Sequence, residues 1–177
     1  MKLVITGRPG VGKSTLFNTI VSTLRDRGVV VGGIIAPEVR VNSGRVGFKL
    51  VDLLTGEETW LARRDNPSSV RVGSYGVFVS EASRLVEKAL SRALSEAQVV
   101  GIDEVGPMEL KLPVFKPLLL KLLESNKHLI LVVHYNLSDR EIRAKIEDAR
   151  KVVLTLRNRE AFRRTLPLEV LRQLKLA

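Results

Sequence analysis

The sequence predicts a layered α/β fold in which a mostly parallel sheet is flanked by helices. Short all-apolar segments, typical of buried strands, alternate with longer segments of helical periodicity. A glycine-rich turn joins the first apolar segment to the first helical one. Two hairpin signals follow in succession and predict an antiparallel β-meander over about residues 29–63. The chain has 177 residues and no linker or low-complexity tract, so we expect residues 1–177 to form a single domain.

The first half of the chain carries the first strand, the first helix and the meander. Leu3-Val4-Ile5 is an apolar run of strand length, and the apolar residues from Leu16 to Leu24 recur at helical spacing until Gly28, a typical helix end. The meander consists of a β-rich segment at 29–41 and strands at 46–54 and 57–63, with turn signals between them. A simple strand–helix–strand protein would have one strand here, so the meander is an insertion into the main sheet or an extension of it.

The second half begins with a loop at 64–75, which we expect to contain one short strand and to be the most mobile segment. Helices and strands then alternate. The predicted helices lie at 81–97 with Ser80 as the cap, from Pro113 to about 125, and at 139–149 after a capping box that begins at Ser138. The predicted strands are 99–104, 129–133 and 151–156, and two helical pieces follow at 158–165 and 167–175. Trp60 and Phe48 are expected in the core.

The turn after the first strand has the pattern G-x-x-x-x-G-K-[S/T] in the strand–loop–helix context that this motif requires. Its glycines allow positive φ angles, so that successive backbone amides can point inward at an anion. The following helix adds the positive end of its dipole. The sequence therefore predicts a P-loop that binds nucleotide phosphates through Gly7, Arg8, Pro9, Gly10, Val11, Gly12, Lys13, Ser14 and Thr15.

The chemistry expected at this loop also needs carboxylates. Lys13 is placed to reach the β- and γ-phosphates, and Thr15 the α-phosphate. Asp103 ends an apolar strand, the position of a Walker B carboxylate, and would hold Mg²⁺ opposite Ser14. Glu104 follows at once and can orient a water and accept its proton. The predicted catalytic residues are Lys13 and Glu104, the metal ligands are Ser14 and Asp103, and the cofactor is Mg²⁺.

Five further residues are weaker candidates. Arg40 and Arg45 flank the first hairpin turn and would either stabilise charge on the transferring phosphoryl group or form a charged hairpin tip. Asn158 and Arg159 follow the last strand, where a nucleobase commonly lies in open α/β sheets. His134 follows another strand at the same rim, and a lone histidine there is more often a solvated residue than a γ-phosphate sensor.

A guanine-specific switch is an alternative, because residues 103–106 also fit the D-x-x-G pattern of GTPases. Such a protein should carry an N-K-x-D motif further on. The segments at 126–129 and 158–161 both lack its aspartate, so this alternative is not favoured.

The amino-acid composition excludes some classes of site and partner for this protein. With no cysteine, disulfides, thiolate metal sites and cysteine nucleophiles are excluded. The apolar runs are too short to span a bilayer, and the chain enters a core strand directly after Met1, so we expect a cytoplasmic protein without a membrane partner. The net charge of +10 suits a polyanionic ligand; a nucleic-acid partner is not favoured, because the basic residues are dispersed rather than interleaved with aromatics.

These residues resemble the THEP1-type nucleoside-triphosphatases, a family that includes the human cancer-related NTPase. The resemblance covers nearly the whole chain, and its distinctive part is the run Asp-Glu-Val-Gly-x-Met-Glu-Leu at 103–110. The other matching segments are 7–15, 37–40, 45–48, 72–75 and 158–160. The resemblance implies Mg²⁺-dependent hydrolysis of ATP, GTP, CTP and UTP with loose base preference, on a RecA-like P-loop core with added antiparallel strands. The family often has lysine where this chain has Pro107, so no cation role is carried over to that position.

The sequence is therefore interpreted as a nucleoside-triphosphatase that is monomeric or weakly oligomeric. Two alternatives stay open. One is a phosphotransferase on the same core, a nucleotide or small-molecule kinase whose acceptor pocket or lid comes from 64–75 or the hairpin. The other is an RNA- or DNA-binding protein switched by ATP, whose hydrolysis nucleic acid would stimulate.

Overall fold

The structure, a computed structural model, describes residues 1–174. The strands in this range are β1 (Lys2–Thr6), β2 (Val31–Ile35), β3 (Glu38–Val41), β4 (Gly44–Asp52), β5 (Glu58–Arg63), β6 (Arg71–Val72), β7 (Tyr75–Val77), β8 (Val99–Val105), β9 (His128–Val133) and β10 (Arg150–Val153). The helices are α1 (Lys13–Asp26), α2 (Val79–Glu96), α3 (Phe115–Glu124), α4 (Arg140–Lys145) and α5 (Arg159–Gln173), with a 3₁₀ turn at Glu109–Lys111.

A single sheet contains these strands in the order β10-β1-β9-β8-β2-β4-β5-β7-β6, and β3 pairs with β4 beside that row. The strands from β10 to β2 are mutually parallel, whereas β4, β5, β7, β6 and β3 pair in antiparallel fashion. The α/β fold class is therefore confirmed. The meander extends the main sheet rather than interrupting it, because β2 pairs with β8 on one side and with β4 on the other.

Helices cover both faces of the parallel part of the sheet. α1 and α5 pack on one face, where Phe17 and Leu166 are fully buried. α2, α3 and α4 cover the other face, where Leu90, Phe115 and Ile142 are almost completely buried. α2 also contacts β4 and β5, so one face of the meander is shielded as well. These two cores hold the carboxyl ends of the parallel strands at one rim, which is where ligands bind in sheets of this kind.

Two helices begin at residues other than those predicted. Ser80 does not cap α2: the helix already begins at Val79, after Phe78. The backbone amide of Phe78 donates to the carbonyl of Leu61, so the sheet ladder runs up to the helix and leaves no separate cap position. For α4 the cap is Asp139 rather than the preceding serine, because its carboxylate accepts the backbone N–H of Ile142 at 3.0 Å.

Two prolines also act differently from the prediction. Pro113 precedes α3 rather than opening it, because the 3₁₀ turn ends there and Leu112, the residue before the proline, is extended. Pro167 lies inside α5, which is one continuous helix rather than two pieces. Proline removes one helical hydrogen bond, and the complete burial of the neighbouring Leu166 and Val170 offsets that loss. The predicted end of the second piece, Lys175, lies outside the described residues.

The segment at 64–75 forms a hairpin with the next two residues rather than a loop with one strand. β6 and β7 are antiparallel and are joined through Gly73, whose φ of 56° suits a tight turn. The guanidinium of Arg71 donates to the carbonyl oxygens of Asn66 and Ser74, each at 2.7 Å. The expected mobility of this segment stays a prediction.

Trp60 and Phe48 are both half-buried; Phe48 packs against the core, whereas Trp60 lies outside it. The cations of Arg63 and Lys49 lie 4.4 and 5.5 Å from the centroid of the Trp60 ring. Basic side chains therefore stack on an aromatic ring of the meander. The spacing of these residues along the chain does not reveal this contact. Within residues 1–174 no helix is both long enough and apolar enough to cross a membrane.

Candidate active site

The glycine-rich loop between β1 and α1 has the backbone geometry of an anion cradle. Gly7, Gly10 and Gly12 have φ angles of 147°, 79° and 103°. A Cβ at Gly7 would lie 2.5 Å from the carbonyl oxygen of Leu154, so only glycine fits there. Gly12 is the cap residue of α1, and the loop therefore leads directly into the amino end of that helix.

Lys13, the first residue of α1, bends back over the loop. Its Nζ donates to the carbonyl oxygens of Gly7 at 2.7 Å and Arg8 at 3.0 Å. Burial lowers the pKa of Lys13, and the negative charges of Glu104 and Asp103 act in the opposite direction. The ammonium group thus lies between the loop and both carboxylates that the sequence singles out.

Asp103 and Glu104 reach the same rim because β8 contains an irregularity. Asp103 pairs with Val132 and Val105 with Val133, so Glu104 is left without a partner in β9. In a regular strand the two side chains would point to opposite faces of the sheet. The strand continues through Val105, and this bulge, rather than the end of the strand, allows both carboxylates to face the loop.

Burial and neighbouring groups shift the pKa values of both carboxylates. Burial raises the pKa of Asp103, while a hydrogen bond from the Ser14 hydroxyl and the charge of Lys13 lower it. Burial and then the charge of Asp103 raise the pKa of Glu104, again opposed by Lys13. The structure therefore brings Lys13, Ser14, Asp103 and Glu104 together.

The oxygen atoms of Ser14 and Asp103 fit a magnesium ion, which prefers oxygen ligands. Within residues 1–174 no group of three or more His, Cys, Asp or Glu side chains is placed to hold a metal. Mg²⁺ typically binds through one or two protein groups and completes its shell with water and phosphate oxygens. The donor set is therefore suited to a cation that arrives with a phosphorylated ligand.

Glu109 is a functional candidate that the sequence motifs do not identify. It is only 4% exposed and borders the same cleft as Asp103 and Glu104. Burial, reinforced by the charges of Glu104 and Asp103, raises the pKa of Glu109 well above its usual value. Its place in the run at 103–110, the part most distinctive of the resemblance, was the signal that could have found it.

The raised pKa of Glu109 makes stability depend on pH. In the unfolded chain this carboxyl ionises near pH ~4.3, whereas the folded protein retains the proton to higher pH. Its contribution to stability is therefore complete below the unfolded value and is lost as pH rises through the folded one. We expect Glu109→Gln to remove this loss, so that the variant gains stability over wild type with rising pH, by about 1.4 kcal/mol for each unit separating the two pKa values.

Urea denaturation at a series of pH values measures this effect. Glu124→Gln, at an exposed position on α3, is the control and should run parallel to wild type. Parallel curves for Glu109→Gln and wild type would show that the carboxyl is not held protonated.

The predicted base-contacting residues lie on the other side of the loop. Asn158 uses its side chain within its own turn: Oδ1 accepts from the amide of Thr155 at 2.8 Å and Nδ2 donates to the carbonyl of Val153 at 3.0 Å. This turn also ends β10 three residues earlier than predicted. Arg159 begins α5 close to Gly12, and a nucleobase contact from either residue stays a prediction.

Arg163 was missed by the sequence analysis because helical periodicity alone does not show which residue faces the loop. A Cβ on Gly12 would lie 3.2 Å from its Nη2. Its Nη1 donates to Glu160 at 2.9 Å, while Nε is buried without a partner among the described residues. Arg163 is therefore a further cation beside the anion cradle.

The structure does not bring Arg40 and Arg45 to the cradle. Arg40 pairs with Glu38 at 2.5 Å, and the Nε of Arg45 donates to the hydroxyl of Tyr75 at 2.7 Å. Neither arginine borders the cleft that contains Ser14. A transition-state role for them stays a prediction that this geometry does not favour. His134 does border the cleft, and burial together with the charge of Lys13 lowers its pKa.

Comparison with known proteins agrees with this geometry. A family model described as "NTPase" matches residues 2–167. The chain is 45% identical over 160 residues to the nucleoside-triphosphatase THEP1 of Thermofilum pendens, covering 89% of this chain and 88% of that protein. It is 39% identical over 163 residues to the protein of the same name from Saccharolobus solfataricus, covering 92% and 89%.

Two solved structures are also similar. The crystal structure of THEP1 from Aquifex aeolicus superimposes with a TM-score of 0.84 at 31% identity, covering 99% of both chains. The solution structure of a human cancer-related nucleoside triphosphatase superimposes with a TM-score of 0.79 at 28% identity, covering 98% of this chain and 97% of that one.

Proposed function

Because the chain belongs to the NTPase family, we propose that it hydrolyses nucleoside triphosphates to the diphosphate and inorganic phosphate, with Mg²⁺ and with loose base preference. One observation carries the proposal. The Lys13 ammonium lies over a glycine loop whose backbone is shaped for an anion, and Ser14, the next residue, borders the same cleft as the carboxylates of Asp103 and Glu104. Cation, metal carboxylate and base are the parts that phosphoryl transfer to water requires.

Binding uses the loop and Lys13. The backbone amides of the loop and of the amino end of α1 donate hydrogen bonds to the phosphate oxygens. Lys13 exchanges its two carbonyl partners in the loop for the β- and γ-phosphates. The hydroxyl of Ser14 and the carboxylate of Asp103 would hold Mg²⁺, which would supply positive charge to the phosphate oxygens.

Glu104 acts on the attacking water. Its carboxylate accepts a hydrogen bond from that water, aligns it with the γ-phosphorus and takes its proton as the new phosphorus–oxygen bond forms. Two observations support loose base preference: the Asn158 side chain is hydrogen-bonded within its own turn, and the sequence contains no guanine-reading motif.

A substitution at Gly106 tests whether catalysis depends on the position of the Glu104 carboxylate. A Cβ there would lie 2.6 Å from the Oε1 of Glu104, so Gly106→Ala should displace the side chain while the backbone stays in place. We expect kcat to fall roughly 10- to 100-fold with little change in KM or melting temperature, because small displacements of a catalytic group are costly. Steady-state phosphate release and thermal melting measure the three quantities.

Gly44→Ala is the matched control for this variant. Its added methyl would lie 3.4 Å from the carbonyl of Val41, an ordinary contact, and wild-type kinetics are expected. Wild-type kcat in Gly106→Ala would mean that the position of the Glu104 carboxylate does not limit turnover.

A phosphate-release panel tests the function itself. ATP, GTP, CTP and UTP are each supplied with Mg²⁺, with a chelator in place of Mg²⁺, and with added RNA or DNA at low salt. We expect similar rates for all four nucleotides, loss of activity with the chelator and no stimulation by nucleic acid. Absence of phosphate release with every nucleotide would contradict the proposal, and strong stimulation by RNA or DNA would favour the nucleic-acid alternative.

A further inference from the structure

The active site occupies one end of a cleft of about 540 Å³, and hydrolysis uses only that end. Ser14, Asp103 and Glu104 border it there. The cleft continues toward β4, β5 and β6 between the apolar side chains of Ile35, Phe48, Leu61, Val72 and Met108. Its volume falls in the range of roughly 300–1,000 Å³ in which proteins bind small organic molecules. A single attacking water does not need this space.

The cleft lies beyond the terminal phosphate, not on the side of the nucleobase. The side chains of Arg159 and Arg163 on α5 lie next to Gly12, on the side of the loop where β10 and α5 are. The cleft opens on the opposite flank, across Ser14 and Asp103 and toward the meander. A triphosphate whose tail lies at Lys13 and Ser14 therefore presents its γ-phosphate to the cleft.

The charge of the cleft is opposite to that of the chain. Within the described residues its acidic lining consists of Asp103 and Glu104, of Glu38, which pairs with Arg40 and Arg45, and of Glu109, whose raised pKa favours the neutral form. Among residues 1–174 no lysine or arginine lines it, although the chain carries a net charge of +10. Arg45 covers the Phe48 ring at 5.3 Å and donates to Tyr75 instead of reaching in. A phosphorylated or carboxylated guest would lie near the carboxylates of Asp103 and Glu104 and would find no lysine or arginine among the described lining residues to pair with.

The lining instead suits a hydroxyl group on an apolar body. Phe48 and Met108 offer an aromatic and a polarisable surface to such a body. Glu104, at the inner end, can accept a hydrogen bond from a hydroxyl as well as from water. The guest hydroxyl would then occupy the position of the attacking water.

We propose that this cleft binds a small alcohol without negative charge, and that the γ-phosphoryl group is transferred to it. The inference rests on the proposed function of the same site. The alcohol oxygen forms a bond to the γ-phosphorus, and the bond from that phosphorus to the bridging oxygen of the β-phosphate breaks. The hydroxyl proton passes to Glu104, and the products are a phosphate monoester and the nucleoside diphosphate. A nucleotide or another anionic acceptor does not fit this cleft.

Three probes of the same shape and different charge test the proposal on the wild-type protein: para-(aminomethyl)benzyl alcohol, para-(hydroxymethyl)benzyl alcohol and para-(hydroxymethyl)benzoate. Each is incubated with Mg-ATP, and phosphorus NMR measures monoester against inorganic phosphate. For the cationic and neutral probes we expect this ratio to exceed the alcohol-to-water concentration ratio by at least ~10²-fold, as for a bound acceptor. The benzoate should give at least ~10-fold less monoester.

Phosphate release with no monoester above the concentration ratio for any probe would overturn the inference but leave hydrolysis standing. A monoester yield highest for the benzoate would overturn it too. Absence of both products would overturn the proposed function, and this inference with it.

A blocked cleft gives a second test. Val72 is half-buried, lines the cleft from β6 and takes no part in the hydrolytic machinery. Val72→Trp should lower monoester formation at least ~10-fold and leave phosphate release within ~2-fold of wild type, because bulk excludes the alcohol but not water. Val41→Trp, on an exposed valine of β3 outside the cleft, should keep both products. Wild-type monoester formation in a folded Val72→Trp protein would contradict the proposal, and the probe series decides it if this variant does not fold.

Discussion

Replacing Lys13 by alanine is expected to reduce nucleotide hydrolysis below detection, a loss of at least ~10³-fold. The ammonium lies over the loop, and its charge acts on both Asp103 and Glu104. Its removal deletes charge stabilisation on the transferring phosphoryl group. It also leaves the two carboxylates without the cation that opposes the rise in their pKa values. Phosphate release under single-turnover conditions, with enzyme in excess, measures the loss independently of product release.

Lys127→Ala provides the control for this experiment. The Lys127 ammonium also donates to a backbone carbonyl, that of Ala97 at 2.6 Å, but this contact lies before the start of β8, at the opposite end of the strand from Asp103. We expect its turnover to match wild type. A Lys13→Ala protein that folds and hydrolyses ATP within ~10-fold of the wild-type rate would remove the ammonium from the mechanism.

Glu104→Gln is expected to turn over at least ~10²-fold more slowly while binding Mg-nucleotide about as well as wild type. Glutamine keeps the shape of the side chain and can still hydrogen-bond a water, but it cannot take the proton. Because Asp103 and Ser14 are unchanged, the predicted metal ligands are retained. Titration with a fluorescent nucleotide measures binding, and phosphate release measures turnover.

Glu38→Gln is the matched control, because Glu38 borders the same cleft and pairs with Arg40 and Arg45 rather than with the loop. Its turnover should stay near the wild-type value. If Glu104→Gln hydrolysed at the wild-type rate, the base would have to be another group. If it lost nucleotide affinity in proportion to its rate, Glu104 would serve binding instead of proton transfer.

Secondary structure was predictable where the local sequence pattern was not overridden by a tertiary contact. The strand–loop–helix unit around Gly7–Ser14 and the apolar strand that carries Asp103 agree with the structure, because glycine spacing and apolar periodicity act over a few residues. Helix starts were less predictable. Ser80 is a good cap by residue type, yet the ladder from β5 continues to Phe78 and sets the start of α2 first.

For the side chains at the site, too, some positions were predictable from the sequence and others depended on tertiary contacts. The nearness of Lys13 to Asp103 and Glu104 was expected from the motifs, but the bulge that turns both carboxylates to one rim depends on the register between β8 and β9. Arg45 was a reasonable candidate by position along the chain. Its guanidinium is instead held by Tyr75, thirty residues away and on another hairpin.

The sequence by itself determined the glycine-rich loop, the acidic pair and the alternation of strands and helices, since each depends on residues that are adjacent along the chain. Only the tertiary structure decided that the meander extends the main sheet, that Glu109 is buried beside the acidic pair, and that a cleft with apolar walls opens beside Ser14, Asp103 and Glu104. Strand register and helix packing bring together residues from β2, β4, β5, β6 and β8 there. These segments are far apart along the chain, so their contacts produce no periodicity or motif spacing within any single segment.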